Sequence, residues 1–133
     1  MKKVQSQSTS NPTSISQVAA QAALDGPQDC IGEMLQAFKQ RHDFVVEALN
    51  AIPGIDCLPT DGTFYVFPEV GGLLERLDGV ANDLELADYF IEHAGVALVP
   101  GSAFGLDGCV RISIATSSTN LEQAIARIAK VAG

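Results

Sequence analysis

The chain has 133 residues, 47% of them hydrophobic and 18% charged, a balance that suits one folded domain and is too apolar for a disordered chain. Sixteen acidic residues against eight basic ones leave a net charge of −8, which repels phosphate backbones and anionic lipid and argues against nucleic-acid or membrane-surface binding. No apolar run approaches the ~20 residues of a membrane span, and the opening MKKVQSQSTSNP has no apolar stretch of the signal-peptide kind.

In chain order, Gln5 to Gln17 is Ser, Thr, Gln or Asn at every position except Pro12 and Ile15. Such a stretch builds no core and reads as loop or extended chain leading into a helix. Ser14 or Thr13 is placed to cap a short Ala-rich helix, SISQVAAQAAL, that stops at Asp25-Gly26-Pro27. A longer helix follows Asp29. Its apolar residues Ile31, Met34, Leu35, Phe38, Val45, Leu49 and Ile52 recur with the helical period, and Pro53-Gly54 ends it.

IDCLPT and TFYVFPEV read as two short strands around the turn dipeptide Asp61-Gly62. Asn82 and Glu85 have capping-box spacing ahead of LELADYFIEHA, which Gly95 closes. Val96 to Val99 is a short apolar strand stopped by Pro100-Gly101. Cys109 to Ala115 is another, with Val110, Ile112 and Ile114 alternating against Arg111, Ser113 and Ala115. Thr119 and Glu122 suggest a second capping box before the last helix, LEQAIARIAKVA. The order predicts an α+β fold, an α/β layer with helices packed on a small mixed sheet.

Few residues stand out chemically. Arg111 sits mid-strand among apolar and small neighbours, where an uncompensated charge is costly. Its planar fork suits a carboxylate held bidentately, with Ser113 on the same strand face. Two readings stay open from pattern alone: a structural ion pair with one of the sixteen acids, or an anion-binding arginine awaiting a ligand. His42 lies in line with Phe38 and Val45, and His93 precedes a helix C-terminus; both read as structural, having no evident nucleophile or acid beside them. In Phe64-Tyr65-Val66-Phe67 the simplest reading is a buried strand with at most one aromatic facing a pocket. Lys2, Lys3, Lys39 and Lys130 occupy the chain start or polar helix faces, not the buried setting that a Schiff-base lysine requires. Cys30, Cys57 and Cys109 are odd in number and form no CxxC pair, and two histidines give no Cys/His zinc spacing. A reduced, cytoplasmic, metal-free domain is expected.

Taken together, KKVQSQSTSNPTSISQVAAQAAL, RHDFVVEALNAIPGI, DGTFYVFP, GVALVPGSAFG and CVRISIATS resemble the C-terminal part of a class I/II aminotransferase. The likeness is to the bacterial aspartate and aromatic aminotransferases, pyridoxal-phosphate enzymes of fold type I. It runs in order over essentially the whole chain. It implies that residues 1–12 are a connecting segment from a large domain and residues 13–133 the small domain. It implies a cofactor lysine N-terminal to the QSQSTSNP segment, so that the chain alone is inactive, with no catalytic or cofactor-binding residue of its own. The resemblance places Arg111 as the clamp on the substrate α-carboxylate and Phe64 at the border of the substrate pocket. Ser10-Asn11-Pro12 corresponds to a segment near the interface of a homodimer. One branch of the family carries an arginine four positions before that Ser-Asn-Pro, for a distal carboxylate; here the position is Ser6. The activity implied is amino transfer between an amino acid, aspartate or aromatic, and a 2-oxo acid. The alternatives are a free-standing binding or assembly module, and the small domain of a fold type I lyase or synthase.

Overall fold

A computed structural model describes residues 2–9 and 11–133. The chain divides into two compact units, Met1–Met34 and Leu35–Gly133. In the first, the polar lead-in forms a helix, α1 (Lys2–Ser8), where loop or extended chain is expected. Its hydroxyls find partners inside the helix. Ser6 Oγ, Ser8 Oγ and Thr9 Oγ1 each donate to a carbonyl one turn back, those of Lys3, Val4 and Gln5, at 3.0–3.1 Å, so the side chains are satisfied within the helix they were expected to disfavour. Helix α2 (Ser14–Asp25) follows, with Thr13 as its cap: Thr13 Oγ1 accepts the Ser16 N–H at 3.3 Å. Neither α1 nor α2 buries a residue, and Ile15, Val18 and Leu24 are exposed.

Helix α3 (Asp29–Asn50) spans the boundary between the units. Its apolar stripe divides likewise. Ile31, Met34 and Leu35 are exposed, Phe38 is half-buried, and Val45 and Leu49 are fully buried. In the second unit these last two join Ile52, Ile55, Cys57, Val66, Leu73, Leu86, Phe90, Val110, Ile114, Leu121 and Ile128 in one core.

Three short strands, β1 (Tyr65–Val66), β2 (Val99–Pro100) and β3 (Val110–Ser113), form a sheet of order β1-β3-β2. Tyr65 pairs with Ser113 and Val66 with Ile112; on the other side Val99 pairs with Arg111 and Pro100 with Val110. Both pairings are antiparallel, where a mixed sheet is expected. The link from β2 to β3 is too short for the crossover of a dozen or more residues that parallel neighbours need. Helices α4 (Gly71–Leu74), α5 (Asp83–Ala94) and α6 (Ser118–Ala132) complete the layer, and the α+β architecture stands as predicted.

Three local expectations give way to competing bonds. IDCLPT contributes only an isolated bridge, Asp56 to Glu69, because both backbone groups of Cys57 are taken by the Asn50 side chain. Val96 does not open a strand. Its N–H closes α5 on the Phe90 carbonyl while the left-handed Gly95 bonds Ile91, a Schellman ending. The cap of α6 is Ser117, accepting from the Asn120 N–H at 3.2 Å, and not Thr119. At α5 the expected box holds: Asn82 Oδ1 accepts the Glu85 N–H at 2.9 Å, and Glu85 Oε2 reaches back to the Ala81 N–H at 2.8 Å.

Candidate functional site: an arginine among aromatic rings

Arg111 lies on the central strand, half-buried. Alternation along β3 sends Val110 into the core, with Arg111 and Ser113 on the opposite face. Among the described residues no carboxylate approaches the guanidinium within ion-pairing distance; the ion pairs are those of Asp43 with Lys39 and His42. The structural pair with an acid of this chain, one of the two readings of Arg111, is therefore not formed. Aromatic rings take its place. The guanidinium carbon is 4.7 Å from the centre of the Phe104 ring and 5.5 Å from that of Tyr65, both within cation–π range.

Each ring has its own support. Tyr65 is half-buried on β1, and its backbone N–H and carbonyl both bond Thr63 Oγ1, at 3.1 and 2.9 Å. Thr63 itself adopts φ of 77°, a left-handed conformation that is rare for a β-branched residue. The turn expected at Asp61-Gly62 thus places its positive φ one residue later than the glycine. Phe104 ends a 3₁₀ turn, Gly101–Phe104, and its ring meets Phe67 edge-on at 6.0 Å. Gly101 is required here, since a Cβ would lie 2.4 Å from the Leu106 carbonyl oxygen and 2.7 Å from that of Cys109.

Phe64 is half exposed, at 51%, and its ring is edge-on to Tyr65 at 5.4 Å. It joins the cluster through Tyr65. Its carbonyl accepts the Ile114 N–H at 2.8 Å, which ties it to the arginine's strand. Of the four residues in the FYVF run only Val66 is buried, so the run is an aromatic-edged strand and not the buried one expected. Neither Tyr65 nor Phe104 is singled out by pattern. The available signal was an aromatic side chain in a Gly/Ser-rich loop, VPGSAFG.

The remaining candidates serve local structure. His42 Nε2 accepts the Thr60 N–H at 3.0 Å while Nδ1 bonds Asp43 at 3.2 Å, and Lys39, followed by His42, holds the Asp43 carboxyl below its usual range. His93 stacks on Tyr89 at 4.3 Å and bonds its carbonyl. Lys2, Lys3, Lys39 and Lys130 are all exposed, so none has the desolvated setting of a cofactor lysine. No group of three or more His, Cys, Asp or Glu among the described residues is placed to hold a metal, and no helix is long and apolar enough to cross a membrane. Asn11 and Ser6 are exposed, and Ser10 lies outside the described residues.

The site is therefore an arginine that pairs with no acid among the described residues, walled by aromatic rings, on a small antiparallel sheet backed by helices. That defines a layer able to receive a planar anion. The chain belongs to the class I and II aminotransferases, whose family profile matches residues 1–128. It is 48% identical to an aspartate/prephenate aminotransferase of Nitrosomonas europaea over 98% of this chain and 34% of that protein. The crystal structure of the Rhizobium meliloti aspartate aminotransferase superposes with a TM-score of 0.87 at 47% identity, over 97% of this chain and 33% of that one. An alanine aminotransferase of Pyrococcus furiosus gives 0.82 at 33% identity, over 91% and 30%. The chain thus spans about a third of the length of the relatives it matches.

Proposed function

We propose that this chain is the substrate-clamping part of a pyridoxal-phosphate-dependent aminotransferase, and that Arg111 holds the α-carboxylate common to its amino-acid and 2-oxo-acid substrates. The observation that carries this reading is the Arg111 guanidinium, flanked by Phe104 and Tyr65 and paired with no acid among the described residues. Rings against the guanidinium restrict its orientation, and its N–H edge remains for a carboxylate held by two parallel bonds. Phe64, next to Tyr65, borders the substrate. Orientation is the contribution: a carboxylate fixed at Arg111 fixes the Cα bonds of the same molecule.

Family membership implies pyridoxal phosphate, but the residues described here offer it no lysine in a desolvated setting. Its lysine belongs to the rest of the enzyme, along with the surface of the proposed homodimer, and residues 1–12 lead from that part into the small domain 13–133. The chain alone is inactive in amino transfer. The substrates are aspartate, as in the names of the relatives, or aromatic amino acids, and their 2-oxo acids, handled in the cytoplasm.

The test uses the enzyme assembled from this chain and the two-thirds of the family length that it does not span. Lysine keeps the charge but loses the fork, so Arg111→Lys raises KM for aspartate and for phenylalanine by the same factor, since both carry an α-carboxylate. A loss confined to aspartate assigns Arg111 to the distal carboxylate and overturns the reading.

A further inference from the structure

Asp83 is the one buried charged side chain among the described residues, 3% exposed. It opens α5 directly after the Asn82 cap. Among the described residues it meets no cation; its Oδ2 instead accepts the Ser102 N–H at 2.7 Å. Burial acts to raise its pKa, but the Ser102 backbone and hydroxyl, with the N–H groups of Asp83 and Gly108, outweigh burial and keep the carboxyl ionised.

Ser102 lies in the 3₁₀ turn that ends at Phe104, and Pro100, which precedes the turn, supplies no side-chain cap. The neighbouring Gly101 N–H is already taken by the Cys109 carbonyl at 2.8 Å. The Asp83 carboxylate therefore supplies, from another helix, the cap that the turn lacks. Phe104 itself is 52% exposed, so burial alone does not hold its ring against Arg111. Its edge contact with Phe67 and the backbone of the turn share that task.

We propose that Asp83 is a positioning residue for Arg111: by clasping the Gly101–Phe104 turn it sets the aromatic wall that orients the guanidinium. The proposal rests on the reading of Arg111 as the carboxylate clamp, and its test has one arm independent of that reading. The independent arm follows the Arg111 side-chain Nε–Hε resonance in the ¹⁵N-labelled 133-residue chain, which senses the ring current of Phe104. Phe104→Leu marks its position without the ring. Asp83→Ala moves the resonance to that position while the amides of Val45 and Leu49 stay in place; Asp83→Asn, whose amide oxygen still accepts the Ser102 N–H, moves it only part of the way. A wild-type Arg111 resonance in Asp83→Asn and Asp83→Ala overturns the proposal, as does an Arg111 resonance indifferent to Phe104→Leu. If Asp83→Ala fails to fold, Asp83→Leu, close in shape and without an acceptor for the Ser102 N–H, decides between the same two outcomes.

The second arm is kinetic, in the assembled enzyme. Asp83→Asn raises KM for the amino acid by about three- to tenfold with kcat little changed, and Asp83→Glu, which keeps the charge but lengthens the reach, does not restore it. A shifted resonance with an unchanged KM leaves Asp83 as the positioner and removes Arg111 from substrate binding.

Discussion

Asn50, at the end of α3, binds both backbone groups of Cys57: its Nδ2 donates to the Cys57 carbonyl at 2.9 Å and its Oδ1 accepts the Cys57 N–H at 2.8 Å. One helix side chain thereby does for a buried residue what a neighbouring strand would do. An orphaned backbone group costs about 1–3 kcal/mol. Asn50→Ala orphans two, and urea melts at unchanged m-value should show a loss of about 2–6 kcal/mol. Asn50→Asp keeps the acceptor for the Cys57 N–H but sets a carboxylate oxygen against the Cys57 carbonyl at the C-terminal end of α3, so it does not rescue the loss. A loss under about 0.5 kcal/mol, the size of an ordinary surface change, would show that water replaces the amide.

The thiols separate by burial. Burial, helped by the Asp56 carboxylate, pushes the Cys57 thiol up to about 11, and burial likewise raises Cys109, with Glu69 and Asp83 adding to it. Cys30 is exposed. At pH 8 iodoacetamide should label Cys30 in the folded chain and reach Cys57 and Cys109 only on unfolding, because the thiolate is the reactive form. For Cys57 the folded value lies above the ordinary 9.0, so its protonated form is favoured by folding. That contribution is whole below pH 9 and declines as pH rises toward 11. Rapid labelling of Cys57 in the folded chain would contradict its placement in the core.

Asp83 has the opposite sign. Its carboxyl titrates below the ordinary 3.8 in the folded chain, so its contribution is present above that value and is lost as pH falls through the folded pKa. Asp83→Asn removes this dependence, and acid unfolding of the variant should start from a lower stability and fall less steeply below pH 4. Parallel acid limbs for the two proteins would mean that the carboxylate is not held by the turn.

Thr63 offsets a strained backbone with its hydroxyl. Thr63→Val keeps the β-branched strain and loses both bonds to Tyr65, at about 1–3 kcal/mol. Thr63→Gly relieves the strain while losing the same bonds, and falls closer to wild type. Thermal melts order the three, and a Gly variant less stable than the Val variant contradicts this balance.

What sequence reveals here is periodic or local. The helical stripe of α3, the Asn82/Glu85 box, the left-handed Gly95 and the alternation around Arg111 all depend on near neighbours, and all are present. What it hides are long-range exchanges of hydrogen bonds. Nothing near Cys57 signals that Asn50 will occupy its backbone, and nothing near Ser102 signals a carboxylate arriving from α5. Nor does sequence show α1, formed by residues that usually favour loops, whose hydroxyls bond back within the turn. Arg111 was visible as an anomaly, a charge in an apolar strand. Its wall was not, because Phe104 comes from a loop whose path depends on Gly101 and Asp83.

In the function proposed above Arg111 holds a substrate carboxylate, and a comparison of phenylalanine with 2-phenylethylamine, the same side chain without the carboxylate, tests that role most directly. Both are assayed as amino donors with the assembled enzyme and its Arg111→Leu variant. Removing one partner of a desolvated charge pair costs about 2–5 kcal/mol, so kcat/KM for phenylalanine should fall by about 10²- to 10³-fold while that for phenylethylamine stays within a few-fold of wild type. An equal fall for both donors would mean that Arg111 supports the fold, and would contradict the clamp.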